Sequence, residues 1–370
     1  MWRKHKLSSS SIDQNTSLII IFFVLIVFGF VMLSSASSVI GYTNFGDNYY
    51  YLKHQLLYGF LPGLFLFFLC LKIPYKLWQK NAVKIFLASL VLLALVFIPA
   101  FQLKNNPAKS WLIIANFSLQ PSEIAKLALI IYLSAWFTKS KNYIKSFSHG
   151  LIPFAIFLSI VAVLVTLEPD IGTLIVIVFI AYAIYFAAGA KIKHFFSLLA
   201  ISGVVLAGLI ISAPYRFNRI LTFLNPAGNT QDIGYHINQA LLAVGSGGIF
   251  GLGLGQSRQK FEYLPEVAGD SIFAIIAEEI GFIFSLLFII LLIIFIAKIL
   301  KISQNSPDEF VKLFTVGIGS WIGLQSLFNI GAMIGILPLT GVPLPFVSFG
   351  GTALMALMAS FGILINMLKK

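Results

Sequence analysis

The chain has 370 residues, 59% hydrophobic and only 10% charged, with 36 Phe. This makeup excludes a water-soluble globular domain, in which about a quarter of residues are charged. The formal net charge of +12 comes from Lys and Arg scattered over short segments, which excludes a nucleic-acid-binding face, and a single cysteine, Cys70, excludes an internal disulfide or a cysteine metal site.

Taken in chain order, residues 1–16 form a basic tail with Arg3, Lys4 and Lys6, and an apolar run over 14–44 follows. The tail and the small residues Ser34 to Ser38 imitate a cleavable leader, but with so many spans behind it an uncleaved first helix is the simpler expectation. Charge-free runs then recur at 55–71, 85–103, 151–167, 171–190, 195–215 and 280–297. Each is long enough, or nearly so, to cross about 30 Å of hydrocarbon as a helix. The uncharged stretch 313–368 is too long for one helix and is interrupted by the proline-rich segment 337–345, so it reads as two.

The remaining span is the informative one. Residues 127–138 are uncharged but too few to cross, so the helix must also take in Pro121, Glu123 and Lys126. The expectation is therefore an all-α polytopic membrane protein of ten transmembrane helices, a single membrane domain over 1–370 with both ends on one side. Most Lys and Arg fall in the segments that this layout places inside, and the positive-inside rule then makes the chain N-in and C-in. A long polar, glycine-rich loop over 214–271, between the seventh and eighth helices, becomes extracytoplasmic.

Ionisable groups at membrane depth are costly unless paired or solvated, so each is a functional candidate. Glu123 and Lys126 are three residues apart and share a helix face; a structural ion pair and a functional pair both fit. Pro121 and Ser122 suit the opening of that helix, and Trp111 suits headgroup depth. In Glu168-Pro-Asp170, Pro169 stops one helix and Asp170 caps the next, while Glu168 fits a structural or a functional role equally. Glu278 and Glu279 lie in the first turns of the eighth helix, where acids complement the dipole, and one of them must still face a polar interior. Asp270 is an N-cap by residue type.

The glycine run Gly245 to Gly255 lacks a preceding strand and the spacing of a dinucleotide loop. It reads instead as irregular backbone lining a cavity. His54, His149, His194 and His236 show no metal-ligand spacing.

Together these segments resemble the SEDS family of bacterial membrane proteins (RodA, FtsW, SpoVE). The resemblance is carried by Gln120-Pro-Ser-Glu123 with Lys126, Glu168-Pro-Asp-Ile-Gly-Thr173, Phe223-Leu-Asn-Pro226, Tyr235 through Gln239 and Gly245-Ser-Gly-Gly248. It continues through Gly253-Leu-Gly-Gln-Ser257, Leu264-Pro-Glu266, Asp270, Glu278-Glu279 and Leu337 through Ser348 with Gly350-Gly351. The chain departs from the pattern at Ala268, Gly269 and Ser271, at Lys109-Ser110 and at Phe349. Its Glu168-Pro-Asp170 and Gln256 to Pro265 segments are more similar to the division branch than to the elongation branch.

The resemblance implies a peptidoglycan glycosyltransferase of the bacterial cytoplasmic membrane, with its active site facing outward. It would polymerise lipid II and release undecaprenyl pyrophosphate, in septal or alternatively elongation synthesis. Asp270 is the expected catalytic base, or the ligand of a divalent cation, Mg or Mn. Lys126, Lys109, Arg216 and Arg219 are expected to hold pyrophosphate, with Glu123 orienting Lys126, and Glu279 and Glu168 as further substrate-binding candidates. The implied partners are a class B penicillin-binding protein transpeptidase and other membrane proteins of the division complex. A lipid II flippase and a non-catalytic division scaffold are the alternatives. Transporters tend to place broken helices at the midplane of inverted repeats, whereas the acids here gather at one edge.

Overall fold

The structure is a computed structural model, which describes residues 9–99, 110–114, 117–225, 233–261 and 263–369. Lys109 lies outside the described residues, as does part of the 214–271 segment.

In chain order the helices are α1 (Ser9–Ala36), α2 (Ser38–Phe45), α3 (Tyr50–Gln55), α4 (Leu61–Lys72), α5 (Tyr75–Lys80) and α6 (Ala82–Leu95). There follow α7 (Pro121–Lys139), α8 (Ile152–Leu167), α9 (Ile171–Ala187), α10 (Ile192–Ile211), α11 (Pro214–Leu224), α12 (Ile233–Ser246), α13 (Ile272–Asn305), α14 (Glu309–Met333) and α15 (Gly351–Leu368). A π-helical turn, Leu56–Phe60, fuses α3 and α4, and another, Phe147–Leu151, leads into α8.

Seven of these stretches are long and apolar enough to cross a membrane, and α6 and α9 are shorter apolar helices. With α7, which carries Glu123 and Lys126, they occupy the positions of the ten expected spans, although length and composition alone qualify seven. The apolar exterior supports the membrane reading. Val204, Val205 and Ile211 on α10, Phe65 and Phe68 on α4, and Phe282 and Phe284 on α13 are all exposed, an apolar surface that water would not tolerate over this extent.

Packing sorts the helices into centre and rim. The share of buried residues is 78% in α15 and 67% in the apolar window of α14, against 6% in α10; α14 and α15 are therefore the axis and α10 a peripheral strut. Phe22 of α1 stacks on Phe361 of α15, with ring centroids 3.8 Å apart. Phe67, Phe295 and Phe346 surround that pair and tie five segments into one aromatic knot.

Three local features depart from expectation. Residues 214–271 are not simply a loop, because they contain the amphipathic helix α11 and the helix α12. The segment before α7 forms a small antiparallel hairpin, β1 (Leu112–Ile114) with β2 (Phe117–Leu119), in which Leu112 faces Leu119. It is fastened to α15, since Gln120 N donates to Thr352 Oγ1 at 3.1 Å.

The third feature is in α13, which breaks at Gly281, where φ is 73°. Such a backbone suits glycine alone. Phe250 and Leu254 of the glycine run 245–255 line an apolar cavity beside Glu279 and Phe288, and the run also packs against this break and completes its hydrogen bonding. Leu252 N and Gly253 N donate to the carbonyls of Glu278 and Glu279 at 3.0 and 2.9 Å, and Phe282 N and Ile283 N donate back to Gly248 O and Ile249 O at 2.9 and 3.2 Å. Gly247 and Gly251 lie so close to the 277–281 backbone that neither has room for a Cβ. Backbone polar groups freed in an apolar setting must find partners within the protein, and here one irregular segment satisfies the other.

Candidate functional site

A polar cavity of about 620 Å³ opens at the end of the bundle where 214–271 lies. Its walls include the α8–α9 turn (Glu168, Asp170), α11 (Tyr215, Arg216, Arg219), the loop ahead of α13 (Glu266, Gly269, Asp270), the segment 338–343 and Tyr51 of α3. Trp111 and Gln120, flanking the hairpin, close one side.

Asp270 is held by its backbone. Asn329 of α14, almost fully buried, donates both protons of its amide, one to the Asp270 carbonyl at 2.7 Å and one to the Val342 carbonyl at 2.8 Å. Ser348 Oγ donates to Gly269 O at 2.6 Å, and Phe349 N donates to Ala268 O at 2.8 Å. The proline-rich segment and the Asp270 loop are thus stitched together from both sides. The expected capping role does not appear, because Ser271 is the N-cap of α13 and makes no side-chain cap hydrogen bond. The Ser271 hydroxyl donates to Pro265 O at 2.7 Å, and His236 Nε2 meets it at 2.6 Å. Asp170, by contrast, caps α9 as expected, accepting from Thr173 N at 2.9 Å.

With its backbone pinned, Asp270 is presented at the cavity wall. Its Oδ1 is shut from solvent and has no hydrogen-bond partner, although the residue as a whole keeps partial access. Burial raises its carboxyl to about 6, against the opposing pull of the Arg219 guanidinium. Glu266 is raised by its own burial and by the Asp270 charge, and burial lowers His236 to about 4. A carboxylate poised near neutral pH, beside a cation and facing a cavity, suits general-base chemistry.

The other expected site residues divide into two groups. Arg216, Arg219 and Glu168 line the cavity with Asp270. Arg216 is braced by the Tyr215 hydroxyl at 2.8 Å and by Leu209 O at 2.9 Å. Glu123 and Lys126 are not on its wall. They form a buried ion pair at 2.8 Å, each 1% exposed, and Lys126 Nζ also donates to Gln325 Oε1 at 2.9 Å beneath the ring of Trp321. Gln325 in turn donates to the carbonyl of Pro343, a cavity residue, at 2.9 Å, so the pair supports the wall from one layer below.

Glu279 lies elsewhere, accepting from Lys260 Nζ at 3.0 Å and from Ser35. Glu278 also faces a polar interior, accepting from Ser257 Oγ at 2.5 Å and Arg258 N at 3.0 Å. Both acids anchor the glycine segment.

For a divalent cation the donor set is sparse. Among the described residues no group of three or more His, Cys, Asp and Glu converges. The orphaned Asp270 oxygen fits an ion of the Mg²⁺ kind, which binds through one or two carboxylates and takes its other ligands from water and substrate phosphate.

Apolar helices enclosing a polar cavity, with a poised carboxylate and two guanidinium groups on its wall, define an integral membrane protein with an enzyme-like site. The chain belongs to the cell cycle protein family of FtsW, RodA and SpoVE, whose family model matches residues 15–370. It is 39% identical over 351 residues to the stage V sporulation protein E of Bacillus subtilis, covering 94% of this chain and 95% of that one. It is 34% identical over 362 residues to a probable peptidoglycan glycosyltransferase FtsW of Geobacter metallireducens, covering 98% and 96%. A solved chain of a peptidoglycan synthase complex, described as coordinating polymerization and crosslinking, superposes with a TM-score of 0.79 at 25% identity over 95% of this chain and 97% of that chain.

Proposed function

We propose that this chain is a peptidoglycan glycosyltransferase that polymerises lipid II into glycan strands, releasing undecaprenyl pyrophosphate during septal wall synthesis. The observation that carries the reading is Asp270, its backbone pinned by Asn329 and its buried Oδ1 unpartnered, on the wall of a cavity shared with Arg216 and Arg219.

In this mechanism Asp270, ionised above about pH 6, takes the proton from the acceptor sugar hydroxyl as that oxygen attacks the donor's anomeric carbon. The bond from that carbon to the pyrophosphate breaks, and the pyrophosphate leaves on its lipid. Arg216 and Arg219 hold its developing charge, Arg being suited to bidentate phosphate contact. A Mg²⁺ or Mn²⁺ ion on Asp270 would supply further charge neutralisation for the leaving group. Lys126 and Glu123 act from beneath through Gln325 and Pro343, and Glu279 with Lys260 fixes the glycine segment. Transfer with inversion needs one base and a stabilised leaving group, unlike hydrolysis by paired carboxylates.

The cavity opens to the outer face of the cytoplasmic membrane, where the positive-inside rule puts the 214–271 segment. The partner is a class B penicillin-binding protein, consistent with the synthase complex that the fold matches. The deciding experiment incubates the purified protein and such a partner with lipid II and Mg²⁺ or Mn²⁺, for wild type and Asp270→Ala. Glycan polymer from wild type and none from the variant supports the reading. Failure of wild type to polymerise, with movement of labelled lipid II across a liposome bilayer, makes the protein a flippase instead.

A further inference from the structure

Glu168 stands out among the cavity acids because nothing among the described residues answers it. It is 1% exposed, and both of its carboxyl oxygens are closed to solvent without a hydrogen-bond partner. Ser110 Oγ donates to the Glu168 backbone carbonyl at 3.1 Å and not to its carboxyl. Yet the residue lines the same cavity as Arg216, Arg219, Glu266 and Asp270. An ionised carboxylate in this position would be desolvated and unpaired, which proteins avoid by keeping the proton.

We infer that Glu168 is a neutral carboxylic acid that donates a hydrogen bond to a phosphate oxygen of the ligand in the cavity. This rests on the reading of the ligand as a phosphate-bearing lipid. A protonated carboxyl has one proton to give, and among the described residues it meets no acceptor. The two guanidinium groups lining the cavity favour an anion as occupant. A charged Glu168 would repel that anion, whereas the neutral acid adds a directed contact and no negative charge. Burial, and the Asp170 charge two residues away, raise its carboxyl to about 9. Tyr51 also faces the cavity from α3. Arg216 therefore neutralises, Asp270 takes a proton and Glu168 orients.

Two readouts test this on the full chain with its partner, in lipid nanodiscs. The first is infrared: at pH 7 wild type shows the C=O stretch of a protonated carboxyl that is lost in Glu168→Gln, and adding undecaprenyl pyrophosphate shifts it. The second is the rate profile with lipid II. Glu168→Gln, which keeps a neutral donor, retains activity within about threefold near pH 7 and loses the alkaline decline that wild type shows as pH passes about 9. Glu168→Leu folds, as judged by elution profile and melting, but polymerises at least about tenfold more slowly. Absence of the infrared band overturns the inference, as does a Glu168→Gln variant that is as slow as Glu168→Leu or keeps the alkaline decline. If wild type makes no polymer but the band is present and shifts with the lipid, the polymerase reading fails while the neutral acid stands.

Discussion

If Asp270 is the base, polymerisation must track its ionisation. With a carboxyl held at about 6, the charged fraction is about nine-tenths at pH 7 and about one-tenth at pH 5, so the initial rate should fall about tenfold between them. The sign follows from the role: a base works when deprotonated, so activity rises with pH through this window. His236, lowered by burial to about 4, stays neutral across it and contributes nothing. Glu266 is the group that could mimic the limb, because its carboxyl is also raised and it couples to the Asp270 charge. The assay is glycan formation from lipid II by wild type, Glu266→Gln and Asp270→Asn at fixed ionic strength. Glu266→Gln removes a negative neighbour, so the acid midpoint should move down while the limb persists. Asp270→Asn should lower the rate by about 10²- to 10⁴-fold at every pH, the usual worth of a positioned base. A rate flat from pH 5 to pH 7, or a limb abolished by Glu266→Gln with Asp270 intact, refutes the assignment.

Further predictions concern what holds the site. Asn329→Ala strands the carbonyls of Asp270 and Val342; at about 0.6 to 2 kcal/mol per lost bond within a membrane protein, it should lower the melting temperature measurably and slow polymerisation, and unchanged values for both would count against the bracket. Lys126→Met leaves Glu123 charged and buried, a loss of about 3–5 kcal/mol, whereas the double variant Glu123→Leu with Lys126→Met should recover most of it. Activity that stays lost in the stable double variant would give Lys126 a direct role in substrate binding. Gly281→Ala forces a side chain into a backbone that excludes it and should destabilise by more than about 1 kcal/mol, seen as reduced yield and early melting; a normal melt would mean that the break is not needed.

How much of this was legible beforehand depended on the kind of signal. Span positions were, because a run of apolar residues is bounded by the charges that end it. Asp170 as a cap and the Glu123–Lys126 pairing also were, since both follow from short spacings along one chain. That Lys126 lies one layer behind the cavity wall was not, because three-residue spacing says which face two residues share and nothing of what that face meets. The helices within 214–271 leave no apolar run to mark them, as α11 owes its shape to amphipathic spacing. Asn329, Gln325 and Ser348 are hidden for a different reason: they are uncharged, and in an apolar stretch only a charge marks a costly position. Polar amides in an apolar span are themselves a sign of interhelical hydrogen bonding. That Asp270 does not cap could not be read at all, since Ser271 beside it is an equally good capping residue.

The interlocked backbone around Gly281 has a dynamic consequence. Amides of Leu252 and Gly253, though outside any helix, should exchange with deuterium as slowly as those of a helical interior, because releasing them would strand the Glu278 and Glu279 carbonyls. Residues 248–253 and the stem of α13 therefore form one cooperative unit, and the segment leading into Asp270 inherits its rigidity. Any breathing that admits a bulky lipid-linked sugar then belongs to the sparsely packed α10, so that the acid stays still while that helix yields.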